Sequence, residues 1–141
     1  MTEPGWGSLR DELAADVRRV SDRLRGLSPA RLAGPPAPSA DRWPTYGSCA
    51  QAARTVAQDL VDAAIALEAA ADREVNEGRD LPVLSDLAAG DQVAVTGHDL
   101  LAAMGRTGPD TLVWFRTSDQ APARRGVEHA AQALADLRRR L

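Results

Sequence analysis

Lysine is absent from this chain of 141 residues, and all 17 basic residues are arginine. An individual arginine therefore cannot be read as selected for bidentate binding, because it also does the plain surface work lysine would do. Cysteine occurs once, at Cys49, which excludes an intrachain disulfide framework and a multi-thiolate metal site. With only two histidines, His98 and His129, the chain cannot build a three-histidine metal site alone. Isoleucine occurs once and aromatic residues five times, whereas alanine occurs 27 times. Alanine is the strongest helix former and β-branched and aromatic residues favour strands, so the composition predicts a helical protein.

Other absences narrow the function. No apolar run reaches the roughly 18 residues needed to cross a bilayer, and Met1 to Trp6 lacks the basic and apolar regions of a secretory leader. The expectation is a cytoplasmic chain with no membrane partner. A formal net charge of -3 argues against a dedicated nucleic-acid binder, which would carry excess positive charge. There is no GxGxxG after a strand, no phosphate loop ending in Gly-Lys-Ser/Thr, no GxSxG, no HExxH and no paired Glu-x-x-His. What is present, 44% hydrophobic and 26% charged residues, suits one globular domain spanning residues 1–141.

Apolar spacing predicts four amphipathic helices. The first runs from Leu9 to Arg25, with Leu9, Leu13, Val17, Val20, Leu24 and Leu27 in one stripe, Ser8 as its cap and Gly26 just beyond it. Ser28-Pro29 starts a short helical turn ending by Gly34, and the proline-rich stretch from Gly34 to Asp41 reads as a long crossover. After the aromatic turn Trp43 to Gly47, a long helix extends from Ser48 to Val75 along Cys49, Ala53, Val56, Leu60, Ala63, Leu67 and Ala70. The third region, Pro82 to Met104, carries Gly90 and Gly97. It is either one helix with two costly glycines or a short turn up to Ala89 followed by a helix capped by Asp91. Val93, Leu100 and Met104 lie on one side of it, and Leu87, Ala94, Val95, Leu101 and Ala102 on the other. Two apolar sides suit a central helix or a subunit contact, hence an expected homodimer. Thr111 to Thr117 has strand-like composition without a comparable partner and reads as an extended connection that packs Trp114 or Phe115 onto the bundle. The last helix, Pro122 to Arg140, carries Val127, Ala130, Ala131, Leu134, Leu137 and Leu141 as its stripe. The expected fold is all-α, a four-helix bundle with the proline-rich crossover between helices 1 and 2.

Four residues are candidates for a ligand site. His98 falls among Ala94, Val95, Leu101 and Ala102 on the wheel, where it either lines a small interior pocket or is a satisfied core histidine; Asp91, about 10 Å away along the helix, is on the same side. Cys49 lies in the first turn of the long helix, where the dipole favours a thiolate, yet it also belongs to the core stripe. Trp43 and Tyr46 either close one end of the bundle or form the aromatic wall of a cleft. His129 lies opposite the apolar stripe of its helix and reads as solvated. Arg138, Arg139 and Arg140 complement a helix C-terminus without needing a partner.

Leu27-Ser28-Pro29-Ala30-Arg31-Leu32, followed by a proline-rich link and by Trp43 leading into a long helix, resembles the opening of the DinB-like bundles. The likeness is closest to the N-terminal domain of mycothiol-dependent maleylpyruvate isomerases. Thr96-Gly97-His98-Asp99 and Ala103-Met104-Gly105 are similar to that family's third-helix segment. Members bind zinc or nickel through three histidines, and some use it to activate a thiol cofactor. Here Thr96 stands where the third-helix histidine would be, the stretch Cys49 to Gln51 lacks the second-helix histidine, and His98 is displaced by two residues. The resemblance therefore implies a relative without the metal site and without a cofactor, acting as a small-molecule-binding or protein-interaction module. A thiol-dependent transferase or isomerase using Cys49 or His98, and a structural partner subunit, are the rival expectations.

Overall fold

The computed structural model describes residues 5–38, 46–73, 75–116 and 119–141. These form five α-helices and a two-stranded hairpin: α1 (Trp6–Arg25), α2 (Pro29–Ala33), α3 (Cys49–Asp72), α4 (Ala89–Met104), β1 (Leu112–Trp114), β2 (Gln120–Pro122) and α5 (Ala123–Arg140). α1 starts a turn earlier than the stripe predicts, after Gly5, so Ser8 is inside the helix and caps nothing. The extra turn carries Trp6, whose indole Nε1 donates to Met104 O at 3.0 Å. Ser28 does cap α2 by accepting from Arg31 N, and Ser48 caps α3 by accepting from Gln51 N at 3.0 Å.

The four long helices ring one core: α1 touches α4 and α5, and α3 touches the same two from the other side. Pairings between side chains fix their directions. Trp6 meets Met104 and Arg25 meets Asp91, so α1 and α4 run antiparallel. Arg54 pairs with Asp86, and Thr107 Oγ1 donates to Leu67 O, so α3 and α4 run parallel. Parallel neighbours need a return connection. The segment 73–88 supplies it, clamped to α3 by Gln58, which donates to Arg79 O at 2.8 Å and accepts from Leu81 N at 3.0 Å. The connection that runs the length of the molecule therefore follows α3, whereas the proline-rich link joins the antiparallel α1 and α3.

α3 is the central helix. Its predicted stripe is buried as far as Leu67, with Ala70 half-buried, but Ala50, Ala52, Ala57, Val61, Ala64 and Ala66 are buried too. Two-sided burial, expected of the third long helix, belongs instead to this one. Alanine explains why the wheel hides it, since a side chain so small marks neither an inside nor an outside position.

α4 corrects three further expectations. A 3-10 turn at Asp86–Ala88 precedes it, as in the second of the two alternatives, but Asp91 caps nothing and sits in the first turn as an exposed partner of Arg25. The core side is Val93, Thr96, Gly97, Leu100 and Met104, while Val95 is 60% and Leu87 67% exposed. Both glycines allow close approach to α1. A Cβ on Gly97 would stand 2.6 Å from both methyl carbons of Val17, and one on Gly90 2.9 Å from Ser21 O. The Thr111–Thr117 segment is also not partnerless: Leu112, Val113 and Trp114 pair antiparallel with Pro122, Ala121 and Gln120. Gln120-Ala121-Pro122 has no strand propensity of its own. It is held as a strand because Val113 is buried under the hairpin and Ala123 N, opening α5, donates to Thr111 O at 2.8 Å.

Candidate functional site

Asp59 and Asp62, three residues apart, lie on one side of α3. Arg125 and His129, four apart, lie on one side of α5, which runs antiparallel to α3. The hairpin adds a third wall through Phe115, Arg116, Asp119, Gln120 and Ala121. Together with Ala63 and Gly126 these residues enclose a cleft of about 660 Å³. Phe115 N donates to Asp119 O at 2.9 Å, which closes the loop end of the hairpin. The Phe115 ring lies directly over Gly126, where any Cβ would overlap it. A glycine in the second turn of an alanine-rich helix is thus the seat of the chain's single phenylalanine.

The charges in the cleft are not equivalent. Asp62 is committed: it accepts from Gln58 Nε2 at 2.8 Å and pairs with Arg116 at 3.5 Å, and Arg116 also pairs with Asp80. Asp59 is half-buried, and no donor among the described residues hydrogen-bonds its oxygens. Burial pushes its carboxyl above the usual carboxylate range; His129 pulls it down and Asp62 pushes it up by smaller amounts. A smaller groove of about 320 Å³ lies between α3 and the 81–83 segment, lined by Arg54, Gln58, Leu81, Pro82 and Gln92, and Asp59 reaches its edge as well.

The residues expected to form a site are placed apart from this cleft. His98 is exposed on the outer face of α4, with Asp91, Val95 and Ala102 exposed around it. It is neither a pocket lining nor a core histidine, because the glycine seam with α1 turns the opposite face of α4 inward. Cys49 is 2% exposed, and burial pushes its thiol up against the smaller pull of Arg31 and Arg140. Burial of this kind disfavours the thiolate that a nucleophilic cysteine needs. Tyr46 is half-buried with the Arg140 guanidinium 5.2 Å from its ring centroid; burial raises its hydroxyl, helped by Asp59 and opposed by Arg140. Cys49 and Tyr46 therefore come together near Arg140, whereas Trp43 lies outside the described residues.

Arg140 contradicts the reading of the terminal arginines as partnerless charges. It is 7% exposed, donates through Nε to Ala37 O at 2.7 Å and pairs with Asp136. His129 is exposed, as its wheel position predicts, yet it lines the cleft because the hairpin builds a wall beyond it. Gly126, three residues before it, was the one signal in the sequence. Among the described residues, no three His, Cys, Asp or Glu side chains are grouped to hold a metal ion. No described helix is long and apolar enough to cross a membrane. No family model matches the chain, and no curated protein or solved structure matches it.

Proposed function

We propose that the chain is a four-helix bundle of the DinB-like kind that works without a metal as a small-molecule-binding module, with the ligand seated between α3, α5 and the hairpin. The observation that carries this reading is the cleft itself. Its volume of about 660 Å³ falls in the range of ligand sites, and it combines an apolar floor of Ala63, Phe115 and Gly126 with a few convergent polar groups. A fragment screen followed by backbone-amide NMR tests it. Binders should move the resonances of Ala63, Ala121, Gly126 and His129, and Gly126→Leu, which fills the cleft, should abolish the shifts. Binders that move only residues elsewhere would remove the cleft from consideration.

The rival thiol-dependent transferase or isomerase needs an accessible thiolate, and the burial of Cys49 speaks against that chemistry. Stoichiometric zinc or nickel in the purified protein would revive it. For the protein-interaction reading, the partner we propose is a second copy of this chain, docked through the outward face of α4. Exposed Val95 and Leu87 are the support. Light scattering showing only monomer at tens of micromolar, roughly where ordinary dimers persist, would exclude it.

A further inference from the structure

We infer that the ligand of the α3–α5 cleft is an organic amine, its protonated nitrogen held at Asp59 and its apolar or aromatic body laid against Phe115. The inference rests on the cleft being a ligand site, as proposed above, and adds the class of ligand. Three features lead to it. The lining brings three carboxylates, Asp59, Asp62 and Asp119, against two guanidinium groups, Arg116 and Arg125. Arg116 is moreover shared with Asp80 outside the cleft, so it does not serve the cleft carboxylates alone. Asp62 has its donors in Gln58 and Arg116, which leaves Asp59 as the half-buried carboxylate that the fold does not supply with one.

A carboxylate partly removed from water without a hydrogen-bond donor is unfavourable, and a ligand ammonium repairs it by supplying both charge and N–H groups. An anionic ligand would instead have to approach this carboxylate, with like charge against like. The body of the ligand then meets the Phe115 ring, seated over Gly126, with Ala63 and Ala121 beside it. Aromatic faces attract cations as well as apolar groups, so the same wall serves an amine whose nitrogen lies close to its ring. His129, on the α5 side, contributes a ring nitrogen that accepts a hydrogen bond when neutral. The raised carboxyl of Asp59 fits this arrangement, since an ammonium beside it would draw it back toward the charged form.

The test uses the full chain and three probes of nearly equal shape: 2-phenylethylamine, 2-phenylethanol and 3-phenylpropionate. Each is titrated while the backbone amides of Ala63, Ala121, Gly126 and His129 are followed by NMR. The amine should bind at least about tenfold more tightly than either other probe, a difference of roughly 1.4 kcal/mol. Asp59→Asn should reduce the amine to the level of the alcohol, and Asp62→Asn should reduce it less. If the alcohol or the carboxylate moves the same amides as strongly as the amine, or if Asp59→Asn leaves amine binding unchanged, the amine assignment is overturned while the cleft remains a ligand site. If no probe moves these amides and no fragment does, both fall.

Discussion

The two sides of the helical ring are built on opposite terms. Along the α1–α4 side the helices approach so closely that only glycine fits at 90 and 97, and the Ser21 hydroxyl is sealed there with no hydrogen-bond partner among the described residues. Along the α3–α5 side the space over Gly126 is likewise taken, but what occupies it is the ring of Phe115, arriving from a hairpin rather than from a facing helix. The first glycines close a seam and the last one furnishes a cleft. Glycine in a helix thus has two meanings here, and its neighbours decide which applies.

The sharpest way to break this comparison is to weaken the core that both sides share. Leu60→Ala in α3 and Leu134→Ala in α5, each fully buried, should lower stability by about 2–5 kcal/mol in denaturant unfolding. Losses below about 0.5 kcal/mol at both sites, the scale of surface changes, would mean that the four helices do not share one core. Next in size is the contrast between the glycines. Gly97→Ala forces Val17, itself buried and stiff at χ1, to move, and should cost about 1–3 kcal/mol despite the helix propensity gained. Gly126→Ala meets only the far edge of a half-buried ring that can swing into the cleft, so the propensity gain of about 1 kcal/mol should nearly offset the strain. Equal costs at the two positions would erase the distinction between seam and cleft.

The smallest effect should come from Asp59→Asn. Because burial raises the Asp59 carboxyl in the folded state, the unfolded chain gives up this proton more readily. The group's contribution to stability is therefore present in acid and is lost as pH rises through the folded value. Asparagine should raise stability at neutral pH by up to about 0.5 kcal/mol, as for a partly exposed site, and the gain should fade as the solution is acidified. The groups around Asp59 are His129 and Arg125 from α5, Asp62 and Tyr46 from α3 and its approach, and Arg116 and Asp119 from the hairpin. A titration with Asp62→Asn as the control assigns the effect. A gain that persists unchanged in acid would show that the carboxyl is not the source.

Much of the helical layout was legible in the sequence. Large apolar residues at regular spacing placed α1, α3 and α5, and Ser28 and Ser48 marked two starts. What failed did so where small residues decide the packing. Alanine hid the two-sided burial of α3, and glycine hid the inward face of α4, so that Val95 and His98 were counted inside. The hairpin was illegible for a different reason, because Gln120-Ala121-Pro122 becomes a strand only through Val113 and the start of α5. The cleft depends on that hairpin. The wheel consequently leaves His129 as a solvated side chain and gives Phe115 only a packing role on the bundle, and nothing in the sequence marks Asp59.

The hold of Arg140 on the proline-rich link also sets a timetable. Arg140 Nε donates to Ala37 O, and Ala37 N donates back to Arg140 O at 2.9 Å, across 103 residues of chain. A contact so distant in sequence closes against a large loop entropy and cannot form until residue 140 has been synthesised. At about 5–20 residues per second the ribosome needs roughly 5–20 s to make the intervening stretch. Throughout that interval the link waits for an anchor made 103 residues after it. A protease or chaperone at the nascent chain would meet this link open, and the finished protein would present it fastened.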